Sequence, residues 1–107
     1  MRVRWSGWMV LACLVSLLAV APALAAERSY WKHSKGHFEN SSGNRWTEKS
    51  GDGNTYRFVE TDRTTGYIEL HDKKRDCTVR LFNNRCMVKA PFTNFKFEKY
   101  YDGEWKR

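Results

Sequence analysis

Apolar and polar residues alternate with a period of two through the middle of the chain, and turn residues break the alternation at regular intervals. Residues 55–61, 67–72, 77–82 and 85–89 are four short runs rich in β-branched, aromatic and aliphatic side chains. Between them lie 62–66, ending in Gly66, the charged stretch 73–76, and Asn83-Asn84. Such runs joined by turn chemistry predict an antiparallel meander. Tyr56, Phe58 and Glu60 share one face of their strand, and Arg57, Val59 and Thr61 the other. Ile68 and Leu70 point to the core, which leaves Tyr67, Glu69 and His71 on the opposite face. With Asn83-Asn84 as a two-residue hairpin turn, Leu81 faces Cys86, Val79 faces Val88 and Cys77 faces Ala90, one apolar stripe.

The flanks read less cleanly. Residues 27–35 are polar with Tyr30 and Trp31, and predict an extended lead-in. Residues 36–40 and 45–48 make a first hairpin about the turn 41–44, and 50–54 is a glycine-rich loop. Ala90-Pro91 interrupts the ladder, because proline lacks a backbone donor. Alternation resumes over 94–100, with Phe95 and Phe97 on one face. Asp102-Gly103 reads as a turn before a last short strand at Glu104-Trp105. No window outside the first 25 residues carries a helical apolar repeat. The expected fold is therefore all-β: seven or eight short strands in a small antiparallel meander, closed as a barrel or folded as a two-layer sandwich.

The amino terminus has a different character. Arg2 and Arg4 precede an apolar run over 9–21, and Ala23-Leu24-Ala25 places small residues where a signal peptidase reads. Residues 1–25 are expected to be a cleaved signal peptide, with an uncleaved anchor as the alternative, and 26–107 a single small domain. That predicts a secreted or periplasmic protein whose only membrane contact is the leader before cleavage. Two of nineteen basic residues fall in the leader, leaving seventeen against twelve acids, a formal +5. Acids are mixed among the bases, and the one cluster, Lys73-Lys74-Arg75, is bracketed by Asp72 and Asp76 as at a hairpin tip. No basic run or binding motif argues for nucleic acid.

Export changes the reading of the cysteines. An oxidising compartment makes a Cys77–Cys86 disulfide the default. The hairpin register instead separates their Cα atoms by roughly 13 Å, at about 3.3 Å per residue, where a disulfide needs less than about 7 Å. Both readings stand, a disulfide in a looser hairpin or two buried free thiols.

Candidate chemistry is sparse. His33 and His37 are four apart, but Gly36 intervenes and the stretch is not helical, so a surface pair is expected and no metal site or other cofactor. A small nuclease or hydrolase would need His33, His37 and His71 brought together, and nothing in their spacing does so. Glu39, Glu48, Glu60 and Glu69 alternate with apolar residues as on a wet face. Aromatics are the better lead: beyond the leader there are Trp31, Trp46 and Trp105, five tyrosines and six phenylalanines. Most must fill the core, but exposed ones beside Arg, Asn and Glu can stack on sugar rings or anchor a protein interface. Trp31, Trp46, Tyr67, Glu69, Arg80 and Trp105 are the candidate binding residues.

Trp31-x4-Gly36-x-Phe38, Gly43-x-x-Trp46-x-Glu48, Phe58-x-Glu60-x-x-Arg63, Tyr67-Ile68-Glu69-Leu70-x-Asp72 and Val79-Arg80-Leu81 span most of the chain beyond the leader. In these segments it resembles a group of small, secreted, β-rich bacterial proteins without an assigned function. The resemblance implies an exported β domain and supplies no catalytic residues. Exported lysozyme inhibitors are similar in size and class only. The expected function is a non-enzymatic exported binding domain for a polysaccharide or an envelope or extracellular protein. The alternatives are an inhibitor of a secreted or host enzyme and, third, a small nuclease or hydrolase.

Overall fold

A computed structural model describes residues 28–107. The leader expected over 1–25, and its cleavage point, lie outside the described residues. Eight strands follow one another in chain order: β1 (Tyr30–His33), β2 (Gly36–Ser42), β3 (Arg45–Ser50), β4 (Thr55–Arg63), β5 (Tyr67–Asp72), β6 (Cys77–Phe82), β7 (Arg85–Lys89) and β8 (Glu98–Trp105). Each pairs antiparallel with the next, and β8 returns to pair with β1 through Trp31↔Trp105, Lys32↔Glu104 and His33↔Gly103. The result is a closed up-and-down barrel without free sheet edges, which removes the hazard of edge pairing in an all-β protein. There is no α-helix among the described residues, and one short 3-10 turn spans Pro91–Thr93.

The period of two decides which side chains point inward. Trp31, Phe38, Trp46, Phe58, Ile68, Leu70, Cys77, Val79, Leu81, Cys86, Val88 and Ala90 form the buried core. The β6–β7 hairpin has the register read from its apolar stripe, with Val79 opposite Val88 and Leu81 opposite Cys86. That register separates the two thiols. Cys77 and Cys86 are both buried and both free, so the disulfide is absent and the geometric argument outweighs the compartment argument. Burial pushes both thiols above the ordinary cysteine range, which keeps them protonated.

Three local expectations are corrected. Residues 30–33 are not a lead-in but β1, the strand that closes the barrel. Residues 94–97 are not a strand: Thr93 Oγ1 accepts from the Ala90 N–H and donates to the Ala90 carbonyl, both at 3.0 Å, and closes a turn. Asn94 and Phe95 follow with φ of 56° each, outside the strand region, so β8 begins only at Glu98. Gly103 is not in a turn but inside β8, facing inward, where a Cβ would collide with the Trp31 ring and the Lys32 carbonyl. The glycine is there because the barrel seam needs the space for an indole.

Candidate functional site

An up-and-down barrel sends its connections alternately to two ends. The β1–β2, β3–β4, β5–β6 and β7–β8 connections share one end, and the polar inward residues collect there. β1 carries Trp31 and then His33 inward, β3 carries Trp46 and then Glu48, and β5 carries Leu70 and then Asp72. At each of the three strands an apolar residue lies deeper and an ionisable one nearer this end. Above them opens a cleft of about 680 Å³ lined by Ser34, Lys35, Glu48, Ser50, Asp52, Tyr56, Arg75, Tyr100, Tyr101 and Asp102.

The floor is a layered arrangement around His33, which is 2% exposed. Tyr101 stacks on the imidazole, with ring centroids 3.9 Å apart and planes at 10°. The Lys35 backbone N–H donates to His33 Nδ1 at 3.2 Å, which makes Nδ1 an acceptor and assigns the proton of the neutral ring to Nε2. Nε2 lies 3.4 Å from Glu48 Oε2. It is close enough for electrostatic attraction but too poorly aligned for a hydrogen bond, so Nε2 is buried without a hydrogen-bond partner among the described residues. Burial first, and the Glu48 carboxylate second, push the Tyr101 hydroxyl far above the ordinary tyrosine range. Tyr101 therefore stays neutral and can donate a hydrogen bond into the cleft.

The wall is built by the β5–β6 connection. Buried Asp72 accepts hydrogen bonds from the backbone N–H groups of Lys74, at 3.0 Å, and Arg75, at 3.3 Å, and from Arg75 Nε. The guanidinium, fixed through Nε, lies 3.8 Å over the Tyr56 ring. Held by an ion pair and a ring face, it keeps a defined orientation, and Arg75 lines the cleft. Asp52, also in the lining, accepts the Asn54 N–H at 2.9 Å, and this bond holds its carboxyl below the usual range.

The rim carries exposed aromatics. A bulge in the β7–β8 pairing sets Cys86 opposite Tyr101 and Met87 opposite Lys99, leaving Tyr100 as the extra residue. The bulge turns Tyr100 to the outside while Tyr101 faces inward. Tyr100 is 55% exposed, with its ring 4.6 Å from Tyr101 and 5.8 Å from Phe92.

The candidate residues read from the sequence go to three places. Trp31 and Trp46 are buried in the core, and Trp105 packs on Trp46 at 6.3 Å. Trp31 Nε1 donates to the Phe82 carbonyl at 2.7 Å, and Trp46 Nε1 to Glu60 Oε1 at 2.9 Å. Tyr67, Glu69 and Arg80 come together on the outer wall of β5 and β6: Arg80 Nε donates to Glu69 Oε2 at 2.8 Å, and the guanidinium lies 4.7 Å from the Tyr67 ring and 4.1 Å from Phe97. None of the six lines the cleft. Two expectations about surface residues are corrected: His33 is not on the surface and Glu48 is not on a wet face. The signal for both was present, since His33 is two residues from Trp31 and Glu48 two from Trp46, on the same inward parity. His37 stacks outside on Tyr30, and His71 contacts Thr78 on β6. The three histidines thus do not form one site.

No family model, curated protein or solved structure matches this chain.

Proposed function

We propose that this protein is a non-enzymatic, exported binding domain whose ligand is a polysaccharide held in the cleft at the polar end of the barrel. One observation carries the reading: tyrosine rings and fixed polar groups of both signs surround a single opening. A sugar presents apolar C–H faces and a rim of hydroxyls that both donate and accept. The Tyr100 ring supplies a face, Arg75 and the Tyr101 hydroxyl supply donors, and Glu48 and Asp52 supply acceptors. Cations and anions both line the cleft, which suits a neutral polyol better than a strongly charged ligand. The polar groups are held before any ligand arrives, Arg75 by Asp72 and Tyr56, and Tyr101 by His33. Preorganisation of this kind lowers the ordering cost of binding.

Titration calorimetry against bacterial and host polysaccharide fragments tests the reading. Saturable binding is expected, weakened about tenfold or more in Tyr100→Ala and Arg75→Ala. Replacement of Trp31 or Trp46 should unfold the barrel rather than lower affinity selectively. Binding that survives both cleft variants, or that is lost in Arg80→Ala on the outer wall, would remove the cleft from the reading.

A further inference from the structure

The connection between β7 and β8 displays two rings, Phe92 and Phe95, that do not line the cleft. Among the described residues four large apolar side chains are exposed, and three lie at this corner: Phe92, 66% exposed, Phe95, 55%, and Tyr100, 55%. Phe95 is displayed at a conformational cost as well as a hydration cost, because its φ of 56° is a left-handed value that a bulky residue rarely adopts. The turn is rigidly built. Asn94 N–H bonds to the Pro91 carbonyl at 3.1 Å and Phe95 N–H to the Ala90 carbonyl at 3.0 Å, so the backbone that displays the rings is held in place. Lys96 follows directly and is exposed, and the neighbouring β5–β6 connection at the same end carries exposed Lys73 and Lys74.

We propose that this loop docks the protein on an anionic phospholipid bilayer, with Phe92 and Phe95 entering the interfacial region and the lysines facing the headgroups. Composition chooses this occupant over a protein. Lysine is depleted at protein–protein interfaces, whereas aromatic rings beside lysine are what the membrane interface favours. Anionic headgroups complement the charge, and apolar area entering the interface adds to that attraction. The inference goes beyond the saccharide reading, and it adds a lasting membrane contact to a chain whose sequence confined such contact to the leader.

Co-sedimentation with phosphatidylglycerol–phosphatidylcholine vesicles, using protein recovered from the exporting cell, tests it. Saturable association is expected, weaker on pure phosphatidylcholine and at high salt. The Phe92→Ser/Phe95→Ser double variant should lose about tenfold or more in affinity, and Lys96→Gln about fivefold. Both replaced rings are exposed, so the variants should keep the parent's circular dichroism. A Phe95→Ser single variant, which removes a ring outside the cleft rim, should keep the saccharide binding while still losing vesicle affinity. In a Phe95→Trp variant the new indole should shift to shorter wavelength on the vesicles and be quenched by brominated lipid, while the buried barrel indoles stay unquenched. Vesicle binding that is undiminished in the double variant overturns the proposal, as does an unquenched Phe95→Trp indole. Absence of vesicle binding, with a self-association that the double variant loses, also overturns it and assigns the loop to a second copy.

Discussion

The two ends of this barrel use the same strands and the same inward alternation, yet they are filled in opposite ways. At one end Trp31, Trp46 and Trp105 pack together; the indole N–H groups of Trp31 and Trp46 find acceptors, and that of Trp105 is buried without one among the described residues. Glu60, which accepts from Trp46, is itself paired with Arg63 at 2.9 Å. At the other end the inward positions go to the ionisable residues His33, Glu48 and Asp72. Among the described residues each end thus holds one buried nitrogen without a hydrogen bond, Trp105 Nε1 and His33 Nε2, but only this end buries carboxyl and imidazole groups. Buried polar groups stabilise little, and an unpaired one costs free energy. The indole end buries the large apolar rings Trp31 and Trp46 and so carries the larger share of stability. The polar end forgoes some of that stability and holds Arg75 and Tyr101 in fixed positions around an opening.

The largest effects should break this contrast from the indole end. Trp31→Ala removes a side chain that is 0% exposed. It should cost about 3–5 kcal/mol, a large share of the roughly 5–15 kcal/mol that holds a domain together. Urea unfolding followed by circular dichroism would show it, and a midpoint near the parent's would contradict the assignment of the core. At the polar end, the double change His33→Phe/Glu48→Met replaces a buried pair by apolar groups of similar volume. It should leave stability unchanged or raise it by about 1–4 kcal/mol, while saccharide binding in the cleft is lost. A loss of stability as large as that of Trp31→Ala would mean that the two ends do not differ.

A smaller effect concerns pH at the indole end. Burial raises the Glu60 carboxyl, but hydrogen bonds from Arg63 and Trp46 outweigh it, so the group titrates below the ordinary glutamate range. A depressed folded value contributes stability that is present above the unfolded value, about 4.3, and is lost as pH falls through the folded one. The parent should therefore lose stability more steeply than Glu60→Gln as pH falls below about 4.3, in urea midpoints measured across that range. Equal slopes would show that Glu60 is not held by its partners. The smallest change belongs to the outer wall. Arg80→Ala breaks a partly exposed ion pair and should cost about 0.2–1 kcal/mol without altering ligand binding. The thiols add a check on packing: peptide mapping should find Cys77 and Cys86 unlinked and slow to alkylate until the barrel unfolds.

Much of this was legible locally. The pattern 67–72 identified Ile68 and Leu70 as inward, and the stripe Val79, Leu81, Cys86, Val88 carried the hairpin register, because a one-residue slip would turn every apolar side chain outward. β1 is not legible locally, because four residues with two inward positions make too short a pattern. Residues 94–97 misled because Phe95 and Phe97 alternate in sequence while the backbone at Asn94 and Phe95 is left-handed. His33 and Glu48 were misplaced for another reason: an ionisable residue on an inward parity reads as an error in the alternation until the neighbouring strands show what surrounds it.

By itself the sequence determined the class, the meander order and which face of the central strands is buried, since these follow from a two-residue period and turn chemistry acting over a few residues. Only the tertiary structure decided that β8 closes on β1, that Gly103 makes room for Trp31, that the thiols stay apart, and that Arg75, Tyr101 and Glu48 share one opening. Those outcomes join residues far apart in the chain. Their free energy comes from packing and hydrogen bonds across the barrel, which no local pattern contains.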